Sequence, residues 1–319
     1  MKLQGSETRI SSIAAAFVLI TGSTAFAADT ATATVPVTMT VTANIAGNKL
    51  MPEMGLNDIV VRQGKSRLEV TGWVPARADR AGLELFILID DGIDPAFSMQ
   101  YNELRAFINR QPQSTSIGVA YMRNGTIQIA QSLTTDHASA AKALRIPFGR
   151  GAAYESPYLS LEDLMKSWPV DKNRREVIMI TSGIGRDQYH HGSHSGYRTD
   201  ADVDRASTVA QKTGTNVFTI YAPARGRVSK SRWTPINGQM NMTRLSDSTG
   251  GASFYLGVNG PVTILPYLTQ VQSMLDNQYL LSFAAKADKE SGLWPISIST
   301  EMTGVKLTTD DAVWVPRGQ

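Results

Sequence analysis

Cysteine is absent from all 319 residues. Its absence excludes disulfides, thiolate metal sites, cysteine nucleophiles and the cysteine-linked lipid anchor of bacterial lipoproteins. A strong excess of one charge is also lacking. With 31 Lys+Arg against 28 Asp+Glu, the formal charge is +3, which gives no general argument for nucleic-acid binding. Beyond the first thirty residues no run is long and apolar enough to cross a bilayer. There is no GxxxxGK[ST] phosphate loop, and Gly183-x-Gly185 lacks the third glycine of a dinucleotide fingerprint because position 188 is Gln. Gly192-Ser193-His194-Ser195-Gly196 misses the nucleophile elbow of serine hydrolases, since its central residue is histidine.

What is present begins with an export signal. Lys2 and Arg9 form a basic n-region, residues 13–20 an apolar core too short to span, and Ala25-Phe26-Ala27 an A-x-A cleavage site. Residues 1–27 are therefore expected to be a signal peptide cleaved near Ala27, which makes the chain secreted or periplasmic and leaves no transmembrane segment. Cleavage removes Lys2, Arg9 and Glu7, leaving about +2. Without disulfides such a chain depends on a buried core, and its length suffices for one large domain plus a small one.

Residues 28–80 read as β-rich. Val35 to Ile45 alternates at period two, and Asn57–Val61 and Ser66–Trp73 form a hairpin around Gly64. From Leu83 strands alternate with helices. Leu83 to Ile89 is apolar on both faces, as a central parallel strand requires, and ends in Asp90 and Asp91. A helix over 99–110 follows, then a hairpin around Asn124-Gly125 and a short helix over 136–144. Ser156 is the expected N-cap of a helix running to Trp168, with Pro157 at its first position. Strands over 176–181 and 216–221, a helix over 202–213 closed by Gly214, a helix near 240–248, a strand over 252–256 and a helix over 262–276 complete the block. Residues 277–319 return to β character, with Tyr279, Phe283, Trp294 and Trp314 expected in a core. The economical organisation is a small β-sandwich built from both termini (28–80 and 277–319), with an α/β domain over 83–276 inserted between them. In open α/β sheets ligands bind at the carboxyl ends of the strands, where the Asp90–Asp91 turn lies.

The central block resembles a von Willebrand factor A domain. The resemblance rests on LFILIDDGID, the GRGA turn at Gly149, REVIMITSG ending at Gly183, TNVFTIYA ending at Ala222 and STGGASF ending at Phe254, in the family's order and spacing. Asn57-Asp58-Ile59-Val60 and Gln278-Tyr279-Leu280-Leu281 look like the flanks of exported bacterial relatives. The resemblance implies a doubly wound, mostly parallel sheet flanked by helices and a protein-binding or adhesion role. In the family a divalent cation, usually magnesium, is held by an Asp-x-Ser-x-Ser turn, a Thr on a second loop and an Asp on a third.

Carried over residue by residue, Asp90 matches the first Asp, Gly92 and Asp94 replace the two serines, Ala152 replaces the Thr, and Ser182 replaces the third-loop Asp. The expected metal set is thus Asp90, Asp94 and Ser182, a degenerate site at which Mg or Ca binds weakly and which needs no cofactor. Arg225, Arg227, Lys230 and Arg232 follow the strand ending at Tyr221 and are expected to neutralise the carboxylates in the cation's place. The partner-binding edge is then Asp91, Gly151, His190, His191, His194, Arg225, Arg227 and Arg232. The function expected is an exported, non-enzymatic protein-binding or adhesion module at the cell envelope. The alternatives are a cation-dependent adhesin, a metal-dependent hydrolase using His190–His194, and a structural spacer.

Overall fold

A computed structural model of the chain describes residues 34–45, 52–77, 81–149, 155–169, 173–185, 200–225 and 233–318. Residues 1–27, expected to be a signal peptide, and Gly151, Ala152, the His190–His194 loop, Arg227, Lys230 and Arg232 lie outside these residues. No described helix is long and apolar enough to cross a membrane.

The centre is a six-stranded sheet. β5 (Leu83–Asp90) is flanked by β6 (Thr115–Arg123) and β8 (Arg174–Thr181); β9 (Thr215–Tyr221) and β10 (Ser253–Phe254) extend one side and β7 (Thr126–Thr134) the other. The strand order is β10-β9-β8-β5-β6-β7, parallel throughout except for the β6–β7 hairpin at one edge. Asn124 and Gly125, both at positive φ, make that hairpin's turn as the Asn-Gly pair requires.

All eight residues of β5 are buried, and their alternation divides them between two cores. Leu83, Leu85, Ile87 and Ile89 join one cluster, with α1 (Tyr101–Asn109), α2 (His137–Lys142) and α6 (Leu265–Asp276) packed over it. Phe86 and Leu88 join the other, under α3 (Pro157–Ser167), α4 (Ala201–Thr213) and α5 (Trp233–Ser248). A run apolar on both faces is thus satisfied by three helices on each side.

The flanks form two four-stranded sheets. One has the order β13-β1-β11-β4, the other β14-β12-β2-β3. Their strands are β1 (Thr34–Ile45), β2 (Ile59–Gln63), β3 (Ser66–Leu68), β4 (Val70–Pro75), β11 (Gln278–Lys286), β12 (Gly292–Thr300), β13 (Val305–Thr308) and β14 (Ala312–Val315). Side chains from both sheets, including Val41, Val61, Leu281, Phe283 and Val315, share one buried cluster. Trp73 stacks on Tyr279 at 4.4 Å between centroids.

Four expectations need correction. Ser66–Trp73 is not one strand: β3 pairs with β2, whereas β4 pairs with β11 in the other sheet. The chain changes sheets at Glu69, whose carbonyl already accepts from Ala284, because both sheets must close over the same core. The helix expected over 99–110 is a 3-10 helix, Pro95–Gln100, followed by α1. Ser156 does not cap α3 with its side chain; its hydroxyl donates to Asp200 Oδ2 at 3.4 Å instead. α5 begins at Trp233, earlier than its apolar spacing suggested.

Candidate functional site

The carboxyl ends of β5, β8 and β9 meet at the acidic turn. Asp90 closes β5, and its carboxylate is held on both oxygens. Gly92 N–H donates to Oδ1 at 2.7 Å, and the Thr181 hydroxyl donates to Oδ2 at 2.8 Å. Thr181 Oγ1 itself accepts from Gly183 N–H at 3.1 Å. Burial pushes the Asp90 carboxyl up from 3.8 to about 6, against the lowering effect of those two hydrogen bonds. Gly183 sits at φ +67°, and a side chain there would meet the Gly238 carbonyl. The Thr181-Ser182-Gly183 turn therefore depends on glycine to bring β8's end against α5.

Asp91 is fully buried and points to a different partner. Arg145 grips it with both guanidinium nitrogens, Nη1 to Oδ1 at 2.6 Å and Nη2 to Oδ2 at 2.7 Å. The guanidinium lies 3.7 Å from the Tyr121 ring centroid and 4.2 Å from that of Phe148. Tyr121 also fixes the backbone of the same residue: its hydroxyl accepts from Arg145 N–H at 2.6 Å and donates to the Arg145 carbonyl at 2.8 Å. The Phe148 N–H reaches Asp91 Oδ1 at 3.4 Å, and the Gly149 N–H donates to the Asp91 carbonyl at 2.7 Å. The hydrogen bonds to Asp91 raise the Arg145 guanidinium above its ordinary value.

The rest of the turn is stitched to the strand ending at Tyr221. Asp94 N–H donates to Pro223 O, Arg225 N–H donates to Gly92 O, and Ile93 bridges Ala224. Asp94 Oδ1 accepts from Ala96 N–H at 2.9 Å, capping the short 3-10 helix. Ser182 is fully buried, and its hydroxyl has no partner among the described residues.

Of the expected metal set, the fold brings Asp90 and Ser182 to the ends of neighbouring strands, but it turns Asp94 toward its own helix. Both oxygens of Asp90 and of Asp91 are already engaged. Among the described residues no three His, Asp or Glu side chains are grouped to hold an ion. This donor set does not fit a hard cation: with Asp94 turned away, Asp90 is the one carboxylate of the set left, and both of its oxygens already accept hydrogen bonds. The expected neutralisation by the Arg225–Arg232 loop also needs correction for Asp91: the guanidinium that pairs with it belongs to Arg145. Arg225 is exposed and joins the turn through its backbone. Sequence reasoning missed Arg145 because nothing in its spacing marks it; its contact with Tyr121, 24 residues away, exists only in the folded chain.

The surroundings of the turn are apolar and open. Asp94, Phe97, Met99, Gln100, Pro223 and Val262 help line a cavity of about 500 Å³. Gln100 ties its far wall with bonds from Nε2 to Pro261 O and Val262 O. Met99 is 74% exposed, Leu256 84% and Val262 93%, with Ile146, Phe148 and Tyr255 exposed nearby in the loops at this end of the sheet.

No family profile and no curated protein matches the chain. Among solved structures, it is similar to an aerotolerance-related membrane protein from Bacteroides fragilis (13% identity, 61% of this chain and 99% of that one, TM-score 0.41). It is also similar to the conserved hypothetical protein BatB from Bacteroides thetaiotaomicron (15%, 61% and 98%, TM-score 0.41). A third is the vWF domain of the type V pili tip protein Mfa5 from Porphyromonas gingivalis (9%, 61% and 94%, TM-score 0.39). The fold is decided by topology: a parallel sheet in the order given above, one antiparallel edge strand and helices on both faces. The α/β domain has a von Willebrand factor A-like fold. In the A-like domain, the Asp90–Asp94 turn occupies the ligand-binding edge expected of a doubly wound sheet.

Proposed function

We propose that the chain is an exported, non-enzymatic protein-binding module whose carboxyl edge is the worn remnant of a metal-ion adhesion site. One observation carries this reading. Asp90 and Asp91 are satisfied internally, while Met99 and Val262 stand exposed on the wall of an open cavity beside them. Charge that has been internalised does not recruit a ligand, whereas exposed apolar side chains at a cavity mark a site of protein contact. The partner that fits is a protein at the cell envelope presenting an apolar face.

The test is capture from an envelope extract of the source organism with the immobilised mature chain. The same partner should be retained in EDTA and in magnesium, and lost on a chain carrying Met99→Glu with Val262→Glu. Capture that is indifferent to those two substitutions, or no capture in any condition, would refute the reading.

A further inference from the structure

We propose that Arg145 is the resident cation of this edge: its guanidinium neutralises Asp91 permanently and clamps residues 146–149 onto the acidic turn, so that the edge is assembled without any divalent ion. The inference rests on the protein-binding reading only for its biological use. Its physical content stands on the geometry of the turn.

Three features of that geometry go beyond an ordinary surface ion pair. The carboxylate is fully buried, yet two parallel N–H···O bonds at 2.6 and 2.7 Å satisfy it, the fork-to-fork arrangement that makes Arg–carboxylate pairs strong. The guanidinium is held in place before any partner arrives, sandwiched by Tyr121 and Phe148 and anchored through both hydrogen bonds of Arg145's backbone to the Tyr121 hydroxyl. The same carboxylate and its backbone carbonyl receive the Phe148 and Gly149 amides. The pair therefore fastens the loop that exposes Ile146 and Phe148. A divalent ion in this role would draw several loops to one point and would leave with a chelator. A side chain cannot dissociate, so the edge stays assembled at any cation concentration.

The ion pair's role separates from a merely stabilising one by two readouts that need no partner. The first is hydrogen exchange at the Phe148 and Gly149 amides. In Arg145→Gln it should accelerate at least ~10-fold relative to amides in β5, because local opening replaces the lost clamp. In Arg145→Lys, which keeps charge but loses the fork and the stacking, it should accelerate less. The second is thermal unfolding in magnesium or calcium chloride at about 10 mM against EDTA. The wild-type midpoint should move by less than about 1 °C, since an ion that does not bind the folded state cannot stabilise it. Should Arg145→Gln fail to fold, the paired variant Asp91→Asn with Arg145→Gln removes the buried charge and carries the exchange measurement.

A wild-type chain stabilised by either ion overturns the inference while leaving protein binding intact. Unchanged exchange at Phe148 and Gly149 in both Arg145 variants overturns it as well. If those amides lose protection but no envelope protein is captured, the protein-binding reading falls and the resident cation stands.

Discussion

Asp91 and Glu176, buried at opposite ends of the central sheet, are accommodated in opposite ways. At the carboxyl edge, where solvent reaches the loops, Asp91 is paired with a forked guanidinium that is one-third exposed. At the amino edge the flanking sheets press against the domain, and the carboxyls there are sealed. Glu84 is satisfied by Trp168 Nε1 at 2.6 Å and Asn173 Nδ2 at 3.3 Å. Glu176 is fully buried and receives the Gln278 amide at 2.7 Å, while its second oxygen has no partner among the described residues. Burial pushes Glu176 up to about 8, and it pushes Asp310 far up as well, with the neighbouring Glu176 adding to the effect. Arg174 stands near, though its Nε is unpartnered and its reach goes to the Leu275 carbonyl and Gln278. The difference teaches that a counter-charge suits a carboxylate near water. Under a lid of strands the cheaper solution is to keep the proton.

The largest effect should come from removing the counter-charge. Arg145→Ala leaves Asp91 buried and unpaired and should lower stability by about 3–5 kcal/mol in urea unfolding. Asp91→Asn with Arg145→Gln should recover most of it, and equal losses in the single and paired variants would break the comparison.

At the other edge the response should depend on pH. Glu176 rises from its ordinary 4.5 to about 8 in the fold, so its protonated form is favoured there. The stability it lends is full below pH 4.5 and disappears as pH climbs through 8. Wild-type stability should therefore decline over that window by roughly 4 kcal/mol. Glu176→Gln, which keeps the contact with Gln278 and stays neutral, should lose that share of the decline and keep the part due to other buried carboxyls such as Asp90; a profile parallel to the wild type would remove Glu176 from the account.

Asp90 offers a smaller version of the same test inside the carboxyl edge. Its carboxyl rises from 3.8 to about 6, so stability should fall by about 2 kcal/mol between pH 4 and pH 6. Asp90→Asn can keep a bond to Gly92 N–H and donate to Thr181, and its profile over that interval should fall less steeply than the wild type's by that amount. The smallest change in stability, within about 0.5 kcal/mol, is expected for Met99→Glu with Val262→Glu, because both side chains already face water. Their effect should appear in partner capture alone.

Much of this architecture was legible in the residues. The unbroken apolar run Leu83–Ile89 demanded cover on both faces and received it. Asn124-Gly125, Pro157 and Gly214 marked a turn, a helix start and a helix end through backbone preferences that act locally. The acidic turn's place at the strand's carboxyl end followed from the same pattern. The strand switch at Glu69 was hidden, because hydrogen bonding to one sheet or another leaves no trace in a short alternating run.

By itself, then, the sequence determined what local physics controls: which segments are strands or helices, which strand is central, and which edge carries Asp90 and Asp91. Only the tertiary structure decided how those carboxylates are answered. Arg145 lies 54 residues from Asp91, beyond a hairpin and two α-helices, and neither its type nor its spacing marked it among the chain's many basic residues. Long-range pairing of charges is set by where the packed sheet delivers each loop. Asp94 follows the same logic in reverse: it has the acidic type of a metal ligand, but the cap it supplies to residues 95–100 turns it to a structural task.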